Sequence, residues 1–142
     1  MRCRFVGREF KSEEPCRTDL FAPSTLASTS RVVELRAVKK KHPTWIFDLT
    51  NAFFHAPEEE ECYVDPPAEW LDEEEEKTGT RDWMWKLNKQ LYGRRKAPHH
   101  FLKYAAGVLK GFGCEQCPEA PCFFRDTRRD LLMELHMDDG HG

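Results

Sequence analysis

The stretch 131–140, Leu-Leu-Met-Glu-Leu-His-Met-Asp-Asp-Gly, decides how the rest of the chain is interpreted. Apolar side chains recur at every second position from Leu131 to Met137, which predicts a half-buried strand. The strand runs into Asp138-Asp139-Gly140, and since Asp and Gly favour turns, we expect a turn there. A lone Asp-Asp-Gly is more often a solvated turn than a site. A functional interpretation therefore needs a further hard ligand elsewhere in the chain.

A second predicted strand, residues 44–48, also ends in a carboxylate. Thr, Trp, Ile and Phe are good strand formers, so the strand should end near Asp48, with Asn51 beginning a short turn. Two such strand ends lying side by side would gather three carboxylates. That arrangement offers the oxygen ligands that Mg²⁺ prefers.

Composition sets broad limits. The 142 residues suffice for one domain, and 33% charged with 39% apolar residues lies in the globular range. The net charge of −3 hides acidic runs at 58–61 and 73–76 and a basic run at 94–96, so nucleic acid is not excluded as a partner. We expect no membrane span, because no apolar run of about 18 residues exists. Without a secretory signal, the six cysteines should be reduced thiols of an intracellular protein.

Two helices are predicted. The first covers 28–41, is capped by Ser28, Thr29 or Ser30, and stops at His42-Pro43. The second follows Pro98 and is predicted to bury one apolar stripe, at positions 101, 104, 105, 108, 109 and 112.

Shorter extended segments complete the predicted structure. They are a strand with cationic side chains at 2–8, an extended piece at 63–64, a strand at 83–87, and a hairpin of 122–125 with 131–137 across the loop 126–130. Glu73–Glu76 should be a solvated loop or a frayed helix.

Two further motifs leave alternatives open. Arg94-Arg95-Lys96 precedes a helix, where backbone N–H groups and cations favour phosphate, but a plain solvated basic turn is an equal alternative. Cys114, Cys117 and Cys122 have the spacing of part of a zinc site. No fourth ligand lies at a typical spacing, so small buried thiols are the favoured interpretation.

Seven segments, in order, resemble the reverse transcriptase domain of copia-type LTR retrotransposons. They are Arg4-Phe5-Val6-x-Arg8-x-Phe10, Phe21-Ala22-Pro23, Asp48-Leu49-Thr50-Asn51-Ala52-Phe53-Phe54-His55, Glu61-x-Tyr63-Val64-x-Pro66-Pro67, Leu91-Tyr92-Gly93-x-x-x-Ala97-Pro98, Pro118-x-Ala120-Pro121-Cys122-Phe123 and Met137-Asp138-Asp139. They extend over nearly the whole chain.

The resemblance implies an α+β fold, the fingers and palm of a right-hand polymerase, with an antiparallel palm sheet backed by helices and no thumb. Residues 1–43 would be a fingers segment, 44–56 the first catalytic palm strand and turn, 57–98 an acidic loop, strand and basic turn, and 99–142 the palm helix and an incomplete catalytic hairpin. Because the sequence stops at Gly142, we expect the strand that returns from the Asp-Asp turn to be missing, together with the primer grip, thumb and RNase H domain.

The resemblance also implies residue roles. Asp48, Asp138 and Asp139 would be catalytic and would hold the metal, with Leu49 as an additional ligand. The nucleotide would be bound by Arg4, Asn51, Ala52, Phe53, Tyr92 and Gly93, with Phe53 sensing the sugar 2′ position. Nucleic acid would be contacted by Arg94, Arg95, Lys96, His136 and Met137. Two of these places depart from the family pattern: His136 replaces the usual Tyr, and 94–96 replaces Leu-Lys-Gln.

The implied function is RNA-directed DNA polymerisation with two Mg²⁺ ions, or Mn²⁺ in their place. The partners would be an RNA or DNA template with its primer, deoxynucleoside triphosphates, and the thumb, RNase H and integrase domains of a parent polyprotein, in a cytoplasmic retroelement particle with nuclear access for integration. We expect this chain alone to be inactive. The alternative is a non-catalytic relic that binds nucleic acid through Arg2, Arg4, Arg8, Arg94, Arg95 and Lys96.

Overall fold

The computed structural model describes residues 5–10, 15–18 and 20–142. Its helices are α1 (Ala27–Lys40), α2 (Ala68–Thr78) and α3 (Ala97–Gly111), with a 3-10 turn at Ala52–His55. Its strands are β1 (Ile46–Asp48), β2 (Tyr63–Val64), β3 (Trp85–Lys86), β4 (Glu115–Gln116), β5 (Phe123–Asp126), β6 (Leu131–His136) and β7 (Asp139–His141). The prediction of an α+β fold with an antiparallel sheet is confirmed. In the described part of the chain, no helix has the length and apolar character needed to cross a membrane.

The main sheet has five strands in the order β1-β7-β6-β5-β4, and each neighbouring pair is antiparallel. The predicted hairpin is present as β5 and β6. The expectation that the strand returning from the Asp-Asp turn is missing is wrong. That strand is β7, and although it is only three residues long, it is paired with β6 on one side and β1 on the other. Strands β2 and β3 form a separate two-stranded sheet.

One face of the main sheet carries the core. Phe124, Met133 and Leu135 share this face and pack in one buried cluster with α3 and the 3-10 turn. Gly140 belongs to the same face, and a Cβ there would overlap the ring of Phe47 on the neighbouring strand. The tip of the β6–β7 hairpin is therefore anchored to β1 by packing as well as by hydrogen bonds.

Helix α3 exists as predicted, but its buried stripe is rotated from the predicted one. Phe101 and Ala105 are buried, whereas Tyr104, Val108 and Phe112 are exposed, Phe112 by 64%. The remaining buried positions are Ala97, His100, Leu102 and Ala106. Small alanines let the helix approach the sheet closely, while apolar periodicity gives more weight to large side chains.

Helix α1 packs on the opposite face of the sheet. Val33 and Ala37 are its buried residues, and the hydroxyl of Ser30 donates to the carboxylate of Glu134 on β6. The predicted cap at 28–30 is wrong in position, since the helix is capped at Leu26. Thr29 still contributes there, because its Oγ1 donates to the Leu26 carbonyl and accepts from the Leu26 N–H.

Two other expectations are corrected in the peripheral segments. Residues 5–8 form no strand, and the remainder of the predicted 2–8 strand, including Arg4, lies outside the described residues. Glu73–Glu76 is not the predicted loop; the other predicted alternative, a helix, is found, because the run lies within α2. The extended pieces predicted at 63–64 and 83–87 are confirmed as β2 and β3, the latter shortened to two residues.

Candidate active site

Asp48 and Asp139 are direct cross-strand partners, although about ninety positions separate them in sequence. Directly opposite residues of an antiparallel pair have Cβ atoms about 4.5–5.5 Å apart. The backbone N–H of Leu49 donates to the carbonyl of Asp138 at 2.7 Å, which holds the Asp-Asp turn against the end of β1. All three predicted catalytic aspartates therefore lie at one end of the sheet.

The turn between β6 and β7 consists of two residues, Met137 and Asp138. Met137 has φ of 53°, the left-handed region that favours glycine. Such a conformation costs about 1–3 kcal/mol and occurs often at functional sites. Since His136 and Asp139 are paired on either side, the sheet itself imposes this geometry.

The carboxylates face away from the core. Side chains alternate along a strand, so Asp48 and Asp139 share a face with His136 and Ile46, opposite the face of Phe47 and Gly140. Asp48, Asp139 and His136 are exposed, and Ile46 is 84% exposed. Helix α1 packs on this same face over Glu134, and Oγ of Ser24 lies 3.4 Å from Nδ1 of His136. The exposed part of the face is therefore its end, at Asp48 and Asp139.

The donor set suits a hard divalent ion. Carboxylate oxygens and a backbone carbonyl are the ligands that Mg²⁺ prefers. The Leu49 carbonyl already accepts the N–H of Ala52 at 3.1 Å, but a carbonyl has a second lone pair. Within the described ranges, no three His, Cys, Asp or Glu side chains are arranged to hold one metal ion. The fit of this end of the sheet to Mg²⁺ therefore rests on the chemistry of the oxygen donors and on where the backbone places them.

The 3-10 turn after β1 brings together two of the predicted nucleotide-binding residues. The rings of Phe53 and Tyr92 have centroids 4.6 Å apart, and Phe101 packs on Phe53 at 5.8 Å. Phe53 is only 8% exposed and Ala52 is fully buried, so both also belong to the core. Phe54, for which no role was predicted, is exposed and meets the ring of Tyr92 edge-on at 5.7 Å. Its position next to Phe53 was the available signal.

Gly93 lies where only glycine fits. Its φ is 88°, and a Cβ at this position would overlap the carbonyl oxygen of Gly7. The N–H of Gly7 donates to the carbonyl of Tyr92 at 2.6 Å. The backbone at Gly7 is therefore docked on the Tyr92-Gly93 turn.

The basic turn is not the exposed cationic surface that the sequence predicted. Arg94 is buried, with its Nε 3.0 Å from Glu9 and its Nη1 3.2 Å from Glu58. These nitrogens are not aligned for hydrogen bonds, so the attraction is Coulombic. Lys96 is also buried and pairs with Glu60. The acidic run at 58–61 was the signal that pointed to these pairs.

The ion pair between Lys96 and Glu60 changes the pKa of Glu60. The hydrogen bond from Lys96 is the largest cause that lowers the pKa of Glu60 below its ordinary value, against the opposing effect of burial. The N–H of Arg95 donates to Glu9 at 3.1 Å, so all three residues of the basic turn are engaged within the chain.

The cysteines behave as small core residues where they are buried. Cys114 and Cys122 are buried, and burial raises the pKa of both thiols, which keeps them protonated. The five cysteines in the described ranges are free thiols. The thiol of Cys122 donates to the carbonyl of Pro23 at 3.2 Å, which ties the loop before α1 to the residue that precedes β5.

Comparison with known proteins identifies the family. Residues 2–140 match the family model described as reverse transcriptase (RNA-dependent DNA polymerase). The chain is 26% identical to the retrovirus-related Pol polyprotein from transposon TNT 1-94 of Nicotiana tabacum, over 97% of this chain and 10% of that protein. It thus spans about a tenth of the relative's length. No solved structure gives a significant match. The chain belongs to the reverse transcriptase (RNA-dependent DNA polymerase) family, and its predicted relationship to the copia-type retrotransposon domains is confirmed.

Proposed function

We propose that this chain carries the nucleotidyl-transfer centre of an RNA-directed DNA polymerase and corresponds to the fingers and palm of a right-hand polymerase. The observation that carries the proposal is the register of β1 and β7, which sets Asp48 opposite Asp139 and fixes Asp138 beside them. The open face at this end of the sheet gives a primer end access to these side chains.

Asp48, Asp138 and Asp139 would hold two Mg²⁺ ions, or Mn²⁺, with the Leu49 carbonyl as a further oxygen ligand. When bound, such ions supply Lewis acidity toward a primer 3′-hydroxyl and a nucleoside triphosphate. The carboxylates fix where that chemistry takes place. His136 and Met137, exposed at the same hairpin, would contact the primer end.

Phe53 would form the wall against the deoxynucleotide sugar. Its ring is held by Tyr92 and Phe101, so it cannot easily move aside for a 2′-hydroxyl. A fixed ring rejects that hydroxyl by size, and the 2′-hydroxyl is what distinguishes RNA from DNA precursors. Asn51, Tyr92, Gly93 and Arg4 would complete the nucleotide site. We propose no contact with nucleic acid for Arg94 or Lys96, since carboxylates occupy both.

The relationship to the tobacco Pol polyprotein extends the proposal to partners. We propose a primed RNA or DNA template and deoxynucleoside triphosphates as substrates. The thumb, RNase H and integrase domains of a parent polyprotein would act with the chain, in a cytoplasmic retroelement particle with access to the nucleus.

Paramagnetic broadening by Mn²⁺ tests the site directly. Titration of the ¹⁵N-labelled chain should broaden the amide signals of residues 47–50 and 137–140 first. Asp139→Asn should weaken Mn²⁺ binding by at least about tenfold, because it removes a ligand. Asp65→Asn is the matched control, since Asp65 is also exposed and lies outside the site. Equal binding by the two variants, or broadening centred elsewhere, would sink the proposed metal site.

Primer extension on poly(rA)·oligo(dT) tests the reaction itself. We expect incorporation of dTTP and rejection of UTP when the chain is supplied with a thumb-containing continuation from a family member. Asp138→Asn should abolish it. Retained extension by that variant refutes the catalytic assignment, whereas Mn²⁺ binding without any extension favours the relic alternative.

A further inference from the structure

A cavity of about 480 Å³ adjoins the candidate active site, on the face of the main sheet that α1 partly covers. Residues of α1 line it together with residues of β1, β6 and β7. We call it the α1–sheet cavity. Its lining includes Ser30, Glu34, Ile46, Glu134, Asp139 and His141.

The cavity lies directly behind the catalytic carboxylates. In the register of the main sheet, Ile46, His141 and Glu134 are neighbours across β1, β7 and β6. Each of them is two residues from its counterpart in the row that contains Asp139, and residues two apart in a strand share a face. A ligand in the cavity is therefore a neighbour of Asp139.

Glu134 is the unusual residue of this cavity, because it is a carboxylate that is only 3% exposed. Its Oε1 accepts the hydroxyl of Ser30 and lies 3.4 Å from Nδ1 of His141. Its Oε2 is buried and has no hydrogen-bond partner in the described part of the chain. A buried acceptor without a donor destabilises the folded state, so Glu134 calls for a donor that the described residues do not supply.

The charges around the cavity favour a cation. Glu34, Glu134 and Asp139 line it, and no Lys or Arg of the described residues does. Carboxylates grouped around one cleft attract positive charge. Within the described ranges, no three His, Cys, Asp or Glu side chains are arranged around one point as metal ligands are. The cavity therefore suits a cation that can reach separated carboxylates better than it suits a single metal ion.

One wall of the cavity is apolar. Ile46 is 84% exposed, although it lies on a strand of the main sheet. An aliphatic chain laid against this side chain would remove apolar surface from water. The lining thus matches a ligand in which ammonium groups are joined by methylene groups.

We propose that the α1–sheet cavity binds an aliphatic polyamine. One ammonium group, which has three N–H donors, donates to the carboxylate of Glu134, and a second reaches Glu34. The methylene chain packs on Ile46. Binding of the polyamine does not depend on the polymerase function, because Glu34 and Glu134 have no part in the catalytic proposal.

A regulatory consequence does rest on the proposed metal site. Asp139 lines the cavity and is also a proposed metal ligand, so a bound polyamine and a bound divalent ion repel each other. Each then lowers the affinity of the other by the same factor.

Titration of the ¹⁵N-labelled chain with spermidine, at low salt and without metal, tests the binding. The amide signals of residues 30–34, 134 and 141 should shift first. Glu134→Gln should weaken binding at least about tenfold, because it removes a buried charged acceptor. Glu69→Gln is the matched control: it removes the same charge from an exposed position outside the cavity and should change affinity less than about twofold. Equal weakening by the two variants, or shifts centred elsewhere, would overturn the proposal.

Urea unfolding separates a binding role of Glu134 from a structural one. Glu134→Gln should be at least as stable as the unsubstituted chain, since it removes a buried charge that has no Lys or Arg partner among the described residues. A marked loss of stability would assign Glu134 a structural role and contradict the proposal. Glu34→Gln, at an exposed position, tests the site without touching the core and should weaken spermidine binding about threefold. Unchanged affinity in that variant refutes the second ammonium contact.

Mn²⁺ titration with and without saturating spermidine tests the competition. Spermidine should weaken Mn²⁺ binding at least about fivefold. Mn²⁺ affinity that is independent of spermidine refutes the competition. Spermidine binding by a chain that binds no Mn²⁺ refutes the proposed metal site and supports the polyamine site.

Discussion

Replacing Arg94 by Met should destabilise the chain severely, because it leaves a buried carboxylate without its cation. The side chain of Arg94 is 6% exposed, and its Nη1 lies 3.2 Å from Oε2 of Glu58, whose side chain is completely buried. Glu9, the other close partner, is partly exposed and can be solvated after the change. Met keeps much of the aliphatic volume, so the variant tests charge rather than packing.

Arg94→Met should lower the free energy of unfolding by about 3–5 kcal/mol, the usual cost of removing one partner of a buried ion pair. That is a large share of the roughly 5–15 kcal/mol by which domains are stable. Arg125→Met is the control: its Nη2–Oε2 distance to Glu115 is shorter, at 2.7 Å, but both side chains are about 60% exposed. Arg125→Met should lower the free energy of unfolding by only about 0–1 kcal/mol. Distance alone would rank the two variants in the opposite order.

Urea unfolding followed by far-UV circular dichroism measures both losses. The double variant Arg94→Met/Glu58→Gln should recover most of the stability, since the charge is removed and the Gln oxygen can still accept the N–H of Glu60, as Oε1 of Glu58 does at 3.1 Å. A loss for Arg94→Met no larger than that for Arg125→Met would refute the reasoning. So would a double variant as unstable as the single one.

Three further predictions follow from the same structure. Gly93→Ala should destabilise the chain strongly, because Gly93 has a left-handed φ of 88° and the added Cβ would overlap the backbone of Gly7. Gly107→Ala, in α3 with open space around it, should instead stabilise the chain by about 0.5–1 kcal/mol. Thermal unfolding measures the stability of both variants. Phe124→Ala should cost about 3–5 kcal/mol in urea unfolding, since its fully buried ring fills the core between sheet and α3; a loss below about 1 kcal/mol would contradict that packing. The pKa of Glu60 is lower in the folded chain than its ordinary value of about 4.5. Ionised Glu60 therefore contributes its full stabilisation above about pH 4.5, and this stabilisation is lost as the pH falls through the lowered pKa of the folded state. Lys96→Met should therefore flatten the acid limb of the stability–pH curve, and an unchanged limb would show that this pair is not responsible.

Local patterns in the sequence predicted most of the regular structure. Alternation at 131–137 and the strand formers at 44–48 gave β6 and β1, because the period of two reflects a geometry that each strand has by itself. The stop at His42-Pro43 and the start at Pro98 placed α1 and α3 within a few positions, although the cap predicted for α1 was wrong. The order of short motifs gave the family, which the family model confirms.

Contacts between distant segments were not predictable in this way. The burial of Arg94 depends on Glu9 and Glu58, which belong to segments that only folding brings together. The rotated stripe of α3 depends on what the sheet and the 3-10 turn present to it. Strand β7 is too short to be recognised alone, and it exists because both its neighbours supply hydrogen bonds.

The candidate site shows the same division. The sequence by itself determined that Asp48 closes one apolar strand and that Asp138 and Asp139 follow another. Only the tertiary structure decided that β7 pairs with β1 in the register that sets Asp48 opposite Asp139 on the open face. Register is decided by backbone hydrogen bonds and by the packing of Phe47 over Gly140, and a slip of one residue would turn every side chain to the other face. No local sequence pattern contains that choice, because the two strands lie about ninety residues apart.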